Sequence, residues 1–183
     1  MSAPFSLANL FSAFLGLPRT VSSRAPTYSA DEFARLAGGR GCFVVVRGNP
    51  FADLGYADDA IVDAVIAAMQ GQNPGIPTHF TARPSSAASS DHHVALLLNG
   101  GPTVRAADIC SAMDLPSVSE PLGPRGRLRI LAAWCRDDVV LSEVSGRIDG
   151  VRAPTDDRFM RLIAQVIREL FPVLADPGGL KGH

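Results

Sequence analysis

Phe159, Leu162, Ile163, Val166, Ile167, Leu170 and Phe171 recur at 3, 4, 7, 8, 11 and 12 residues from the first, which is the period of one face of an α-helix. Thr155 stands where it can cap that helix, Asp156 and Asp157 suit its first turn, and Pro172 ends it. A stripe this long must be buried on something flat and apolar, and a β-sheet is the surface that provides it.

The rest of the chain supplies the sheet. Cys42 to Val46 is a continuous apolar and β-branched run, the pattern of a strand covered on both faces, and Gly48-Asn49-Pro50 breaks it. Pro77 to Arg83 reads as a second strand. Val94 to Leu98 reads as a third, stopped by Asn99-Gly100-Gly101-Pro102. Arg127 to Arg136 and Val139 to Ile148 flank Asp137-Asp138 as a hairpin of two long strands. Leu128, Ile130 and Trp134 share one face of its first arm, and Leu131 and Cys135 point the other way.

Three more helices are expected. Ser29 and Glu32 stand at capping-box spacing, with Tyr28 and Phe33 as the hydrophobic staple and Gly38-Gly39 as the stop. From Ala57 to Gln70 a stripe of Ile61, Val62, Val65, Ile66 and Met69 repeats at helical spacing, with acids at its start. A short helix near 104–113 carries Cys110, and the segment 114–126, with three prolines, is a long irregular connection. The expected fold is therefore α/β (α+β): a single mixed sheet of about five strands, in the order α-β-α-β-β-α-β-β-α. The two long helices, 57–70 and 156–171, pack on one face.

At 183 residues the chain suits one domain, expected over residues 29–175. An apolar segment and linker precede it at 1–28, and a loose tail follows at 176–183. The net charge of −1 provides no broad cationic field, so bulk attraction to nucleic acid is not expected. Lys181 is the only lysine, and no functional meaning attaches to that skew. No apolar run reaches the ~20 residues of a transmembrane helix. Phe5 to Leu17 has two readings. It is either an amphipathic helix, with Leu7, Leu10, Phe11, Phe14 and Leu15 on one face, or the apolar part of a signal peptide lacking a positive n-region. The first reading allows peripheral membrane contact through residues 5–17.

Candidate chemistry is sparse. Ser90, Asp91, His92 and His93 invite comparison with a catalytic triad. Adjacent strand residues point to opposite faces, however, so a polar strand entry is the better reading. His79 would meet one of these histidines if strands 77–83 and 92–98 paired, but no third metal ligand is evident, and neither a metal nor a cofactor is expected. Asp53, Asp58, Asp59 and Asp63 read as a solvated helix start rather than a calcium loop. The glycine-bearing turns are more informative. If strands 42–47 and 94–98 are parallel neighbours, both turns lie at the same sheet edge, where α/β folds bind ligands. That singles out Asn49, Asn99, Gly100 and Arg105 as ligand-binding candidates, with a helix start near Arg105 as an anion site.

Three cysteines stand at 42, 110 and 135, with neither C-x-x-C nor zinc spacing. Cys42 reads as a small buried hydrophobe. Cys110 and Cys135 are open to two readings: a disulfide closing 24 intervening residues, stabilising by about 3 kcal/mol, or two buried thiols.

From Tyr28 to Phe171 the chain resembles a group of small, uncharacterised bacterial cell-envelope proteins, often lipoproteins. The matching residues are Val44-Val45-Val46-Arg47-Gly48-Asn49-Pro50-Phe51, Ala68-Met69-Gln70-Gly71, Leu96-Leu97-Leu98-Asn99, Asp108-Ile109-Cys110, Ala132-Ala133-Trp134-Cys135 and Arg158-Phe159. At its N-terminus the chain departs from the group, having no lipobox cysteine. The resemblance implies an exported protein in which Cys110 pairs with Cys135, and it carries no activity. The function expected is a non-catalytic envelope or periplasmic module binding a protein or glycan partner. The alternative is a small-ligand protein or enzyme, periplasmic or cytoplasmic, with its cleft at the turns after 42–47 and 94–98.

Overall fold

The computed structural model describes residues 16–38, 41–83, 91–111 and 119–173. Most of the Phe5–Leu17 segment, the Ser85–Ser90 loop, the first part of the 114–126 connection and the C-terminal tail lie outside the described residues.

The hairpin around Asp137-Asp138 stands inside a six-stranded mixed sheet. Its strands are β1 (Arg19–Arg24), β2 (Cys42–Arg47), β3 (Phe80–Thr81), β4 (His92–Leu98), β5 (Leu128–Arg136) and β6 (Val139–Ile148), in the spatial order β1-β6-β5-β4-β2-β3. Four α-helices accompany them: α1 (Ala30–Ala37), α2 (Asp58–Met69), α3 (Ala106–Ser111) and α4 (Asp157–Leu170). β2 pairs parallel with β4 and with β3, and the other pairings are antiparallel.

The sequence-based expectation misses the sixth strand. Residues 18–28, read as a linker, contain β1, which pairs in full with β6 from Arg19↔Arg147 to Arg24↔Ser142. Arg-Thr-Val-Ser-Ser-Arg has no run of apolar residues because an edge strand exposes much of its surface. Val21 is 73% exposed. The strand read over 77–83 shrinks to two residues, since the side-chain amide of Gln70 both donates to the Phe80 carbonyl (2.7 Å) and accepts from its N–H (3.2 Å). β2 is less enclosed than its composition suggests: Cys42 and Val44 are buried, whereas Phe43 and Val45 are half-buried.

The two long helices lie on one face, as their stripes require. Phe159, Leu162, Ile163, Val166, Ile167 and Leu170 of α4 share one core with Ile61, Val65, Ala68 and Met69 of α2 and with Leu128, Ile130, Ala132 and Trp134 of β5. Asp156, rather than Thr155, caps α4, its carboxylate accepting from the Arg158 N–H at 2.9 Å. α1 joins the same face. Ser29 Oγ accepts from the Glu32 N–H at 3.1 Å, and Tyr28 and Phe33 both meet the Trp134 ring edge-on, at 5.7 and 5.3 Å.

Among the described helices, only the short α3 lies on the opposite face. Ala106, Ile109 and Cys110 cover Ala95, Leu97, Ala133 and Cys135 there. The Cys110 and Cys135 sulfurs are at disulfide distance, 2.00 Å, which ties α3 to β5. β1 and β6 extend beyond this patch, and apart from the Val140 end of β6 no described helix lies over them on this side.

Candidate functional site

Strand alternation sends Arg19, Val21 and Ser23 of β1, Glu143, Ser145 and Arg147 of β6, and Arg129, Leu131 and Ala133 of β5 to the side of the sheet away from α4. The register then sets them in rows. Arg19 stands directly opposite Arg147, and Arg147 opposite Arg129. Two residues further along, Val21, Ser145 and Leu131 form the next row, followed by Ser23, Glu143 and Ala133. Three arginines are thus laid side by side on three adjacent strands, about 4.8 Å apart along the row.

This row lines a groove of about 810 Å³ together with Val21, Leu97, Val104, Leu131 and the Gly100-Gly101-Pro102 turn. A further hollow of about 460 Å³ continues it past Val21, Leu131 and Ser145 toward α3 and Arg105. Among the described residues lining the main groove are three arginines and no carboxylate. Glu120 reaches Arg129 from outside it, at 2.5 Å, and that pair is exposed to solvent. Arg147, in the middle of the row, has no ion pair among the described residues. Like charges set directly across a ladder are destabilising, so the row is a cost that the fold carries.

The residues singled out from the sequence fall differently. β2 and β4 are parallel neighbours, so both glycine-bearing turns do lie at one end of the sheet. Gly100 lines the groove and Arg105 lines its extension. Asn99 is buried, and both ends of its side-chain amide are engaged inside the protein: Nδ2 donates to the Pro121 carbonyl (2.8 Å) and Oδ1 accepts from the Arg129 N–H (2.7 Å). Asn49 is likewise engaged, donating to the Tyr56 carbonyl and to Asp58 Oδ1, both at 2.8 Å, beside a small hollow of about 250 Å³. The expected anion site at the start of α3 already holds a protein carboxylate, since Asp108 accepts from the Arg105 N–H at 2.8 Å. Arg19, Arg129 and Arg147 were not anticipated. Each is an ordinary surface residue in the sequence, and only strand register unites them.

The histidines do not form a site together. His92 turns inward against Trp134 (5.8 Å) and lies 3.7 Å from Glu32 and 3.4 Å from Asp91. His93 points to the opposite face. Its pKa is held below the usual histidine range, first by burial and then by the Arg47 charge. His79 cannot face either one, because β2 separates β3 from β4. No group of three metal-ligating side chains occurs among the described residues. No helix among them is long and apolar enough to cross a membrane.

No family model matches the chain. Nor does any curated protein. Among solved structures, it is similar to a dodecamer of a PelC variant from Paraburkholderia phytofirmans at 13% identity and a TM-score of 0.45, over 84% of this chain and 98% of that one. A likeness at that distance extends no activity to this protein.

Proposed function

We propose that this protein is a binding module of the bacterial cell envelope whose open sheet face takes an anionic partner. The observation that carries the reading is the groove: three arginines on adjacent strands beside a largely aliphatic row, with no carboxylate in its described lining, on a chain of net charge −1. Arginine stays protonated at any physiological pH and grips carboxylate or phosphate through a fixed fork of donors. This is the chemistry of holding a ligand rather than of moving a proton.

The envelope part of the reading is supported by Cys110 and Cys135 at disulfide distance, because such bonds persist in oxidising compartments. The likeness to small envelope proteins noted above points the same way.

Calorimetric titration tests the binding reading with three soluble anionic probes: hexaglutamate, a uronate oligosaccharide and a short-chain phosphatidylglycerol. At least one should bind at low salt, weaken as salt is added, and lose about tenfold or more in affinity with Arg147→Glu. Equal binding to both proteins, or binding to neither, by all three probes would sink the proposal.

A further inference from the structure

We infer that the groove's ligand is a phosphate-headed acyl lipid, with its phosphodiester on Arg19, Arg147 and Arg129 and its acyl chain along Val21, Leu131 and Leu97. This rests on the binding reading above and names the chemistry of its partner.

The first support is the groove's polarity. Moving along the strands from the arginine row, the next row is Val21, Ser145 and Leu131, about 7 Å away. Leu97 and Val104 extend that apolar surface. Charge lies at one end and aliphatic surface follows, which is the layout of an anionic head and its tail. The row beyond holds Glu143, whose carboxylate accepts from Ser23 at 2.8 Å. An anion at that end would meet like charge, so the head is directed to the arginines.

The second support concerns what the floor cannot offer. The backbones of β4, β5 and β6 are committed to their ladders on both sides, across β2–β4, β4–β5, β5–β6 and β1–β6. A polypeptide lying across β4, β5 and β6 would find no main-chain partner there, the unpaired edge of β1 lying to one side, and would leave its own amides desolvated against aliphatic side chains, which is unfavourable for every amide so buried. An acyl chain carries no such groups. A uronate sugar would likewise set its hydroxyls against Val21, Leu97 and Leu131 with the Ser145 hydroxyl as the one polar side chain in that row. The volume of about 810 Å³ falls within the range of ordinary small-ligand sites, roughly 300–1,000 Å³.

The test is calorimetric titration of the full chain with dihexanoylphosphatidylglycerol below its micelle concentration. Parallel titrations use dihexanoylphosphatidylcholine, inorganic phosphate, hexaglutamate and the uronate oligosaccharide. Phosphatidylglycerol should bind saturably, one lipid per chain, and about tenfold or more tightly than phosphatidylcholine or phosphate alone. Arg147→Glu should weaken it by a similar factor. So should Val21→Asp, a change at a side chain 73% exposed and therefore harmless to folding. Arg161→Glu, on the exposed side of α4, makes the same change in net charge as Arg147→Glu and should leave binding intact.

Equal affinity for phosphatidylcholine, or an equal loss with Arg161→Glu, overturns the role of the arginine row. Phosphate binding as tightly as the lipid removes the acyl chain from the site. Arg147-dependent binding of hexaglutamate or the uronate without lipid binding ends the lipid inference and leaves the anion-binding module standing. Silence from every probe ends both.

Discussion

Asn99 and Arg129 are bonded twice: the Asn99 N–H donates to the Arg129 carbonyl at 3.0 Å, and Asn99 Oδ1 accepts from the Arg129 N–H at 2.7 Å. The asparagine thereby fixes the strand end that carries one arginine of the groove. It does so with φ at 47°, a conformation asparagine tolerates better than most residues. Asn99→Ala should cost about 2–4 kcal/mol, since it strips buried partners from Arg129 and Pro121 and strains the backbone. Asn99→Gly should cost less, because it relieves the strain alone. Urea midpoints of the two variants check this, and identical values would show that backbone conformation contributes nothing.

The cysteines should separate by reactivity. Cys42 is buried, and burial pushes its thiol up to about 12, so it is neutral and inaccessible in the folded protein. The native chain, free of reductant, should resist iodoacetamide. After unfolding without reductant, mass spectrometry should show one alkyl group, and three after reduction. Reduction should also lower stability by about 2–4 kcal/mol, as expected for opening a loop of this length. Three alkyl groups without reductant would remove the Cys110–Cys135 bond.

Stability should fall at alkaline pH. Cys42 rises from an ordinary 9.0 to about 12, mainly through burial, and Tyr28 from 10.0 to about 12 for the same reason, partly opposed by the Arg24 charge. Both folded values exceed the unfolded ones, so the folded chain holds these protons where the unfolded chain releases them. The stabilisation is complete below about pH 9 and is lost as pH climbs toward 12. Cys42→Ala should flatten the first part of that decline in urea midpoints measured from about pH 8 to about pH 11.

At the acid end the sign reverses. His93 has a lowered pKa, chiefly from burial, with Arg47 and His92 adding to the effect and Asp137 opposing it. The unfolded chain therefore binds this proton first, and the native state loses stability as pH drops below about 6.5. His93→Gln should shrink the loss between about pH 7 and about pH 5. An unchanged slope would place the acid sensitivity elsewhere.

Gly146 lets α4 approach the sheet. A Cβ there would stand 2.9 Å from Leu162 Cδ1 and 3.1 Å from Val166 Cγ2, both on buried side chains. Gly146→Val should cost about 2–3 kcal/mol by overpacking. Gly101→Ala, where nothing lies within 4 Å of the added atom, should stay within about 0.5 kcal/mol of the parent. Thermal unfolding of the pair makes the comparison.

Elements held together by nearby residues were readable from the chain. The Ser29–Glu32 cap, the α2 and α4 stripes and the Asp137-Asp138 hairpin all depend on spacings of a few residues, and each stands where its pattern placed it. β1 was not readable, because an edge strand with polar side chains needs no hydrophobic alternation, and its partner β6 lies far along the chain, with Arg19 pairing to Arg147. Asn49 and Asn99 were noticed for good reason, as turn residues after parallel strands. Whether their amides faced a ligand or the protein depended on Tyr56, Asp58, Pro121 and Arg129, which no local pattern joins to them.

The amino-acid order alone determined which segments could be helix or strand and which faces had to be buried, since those follow from periodicity and capping. Strand register, a long-range pairing, decided that Arg19, Arg129 and Arg147 would stand abreast and that α3 would cover only part of the outer face. The groove exists because that one short helix packs over β5 and the Val140 end of β6 while no other described helix covers β1 on this side, a matter of tertiary placement that no spacing along the chain encodes.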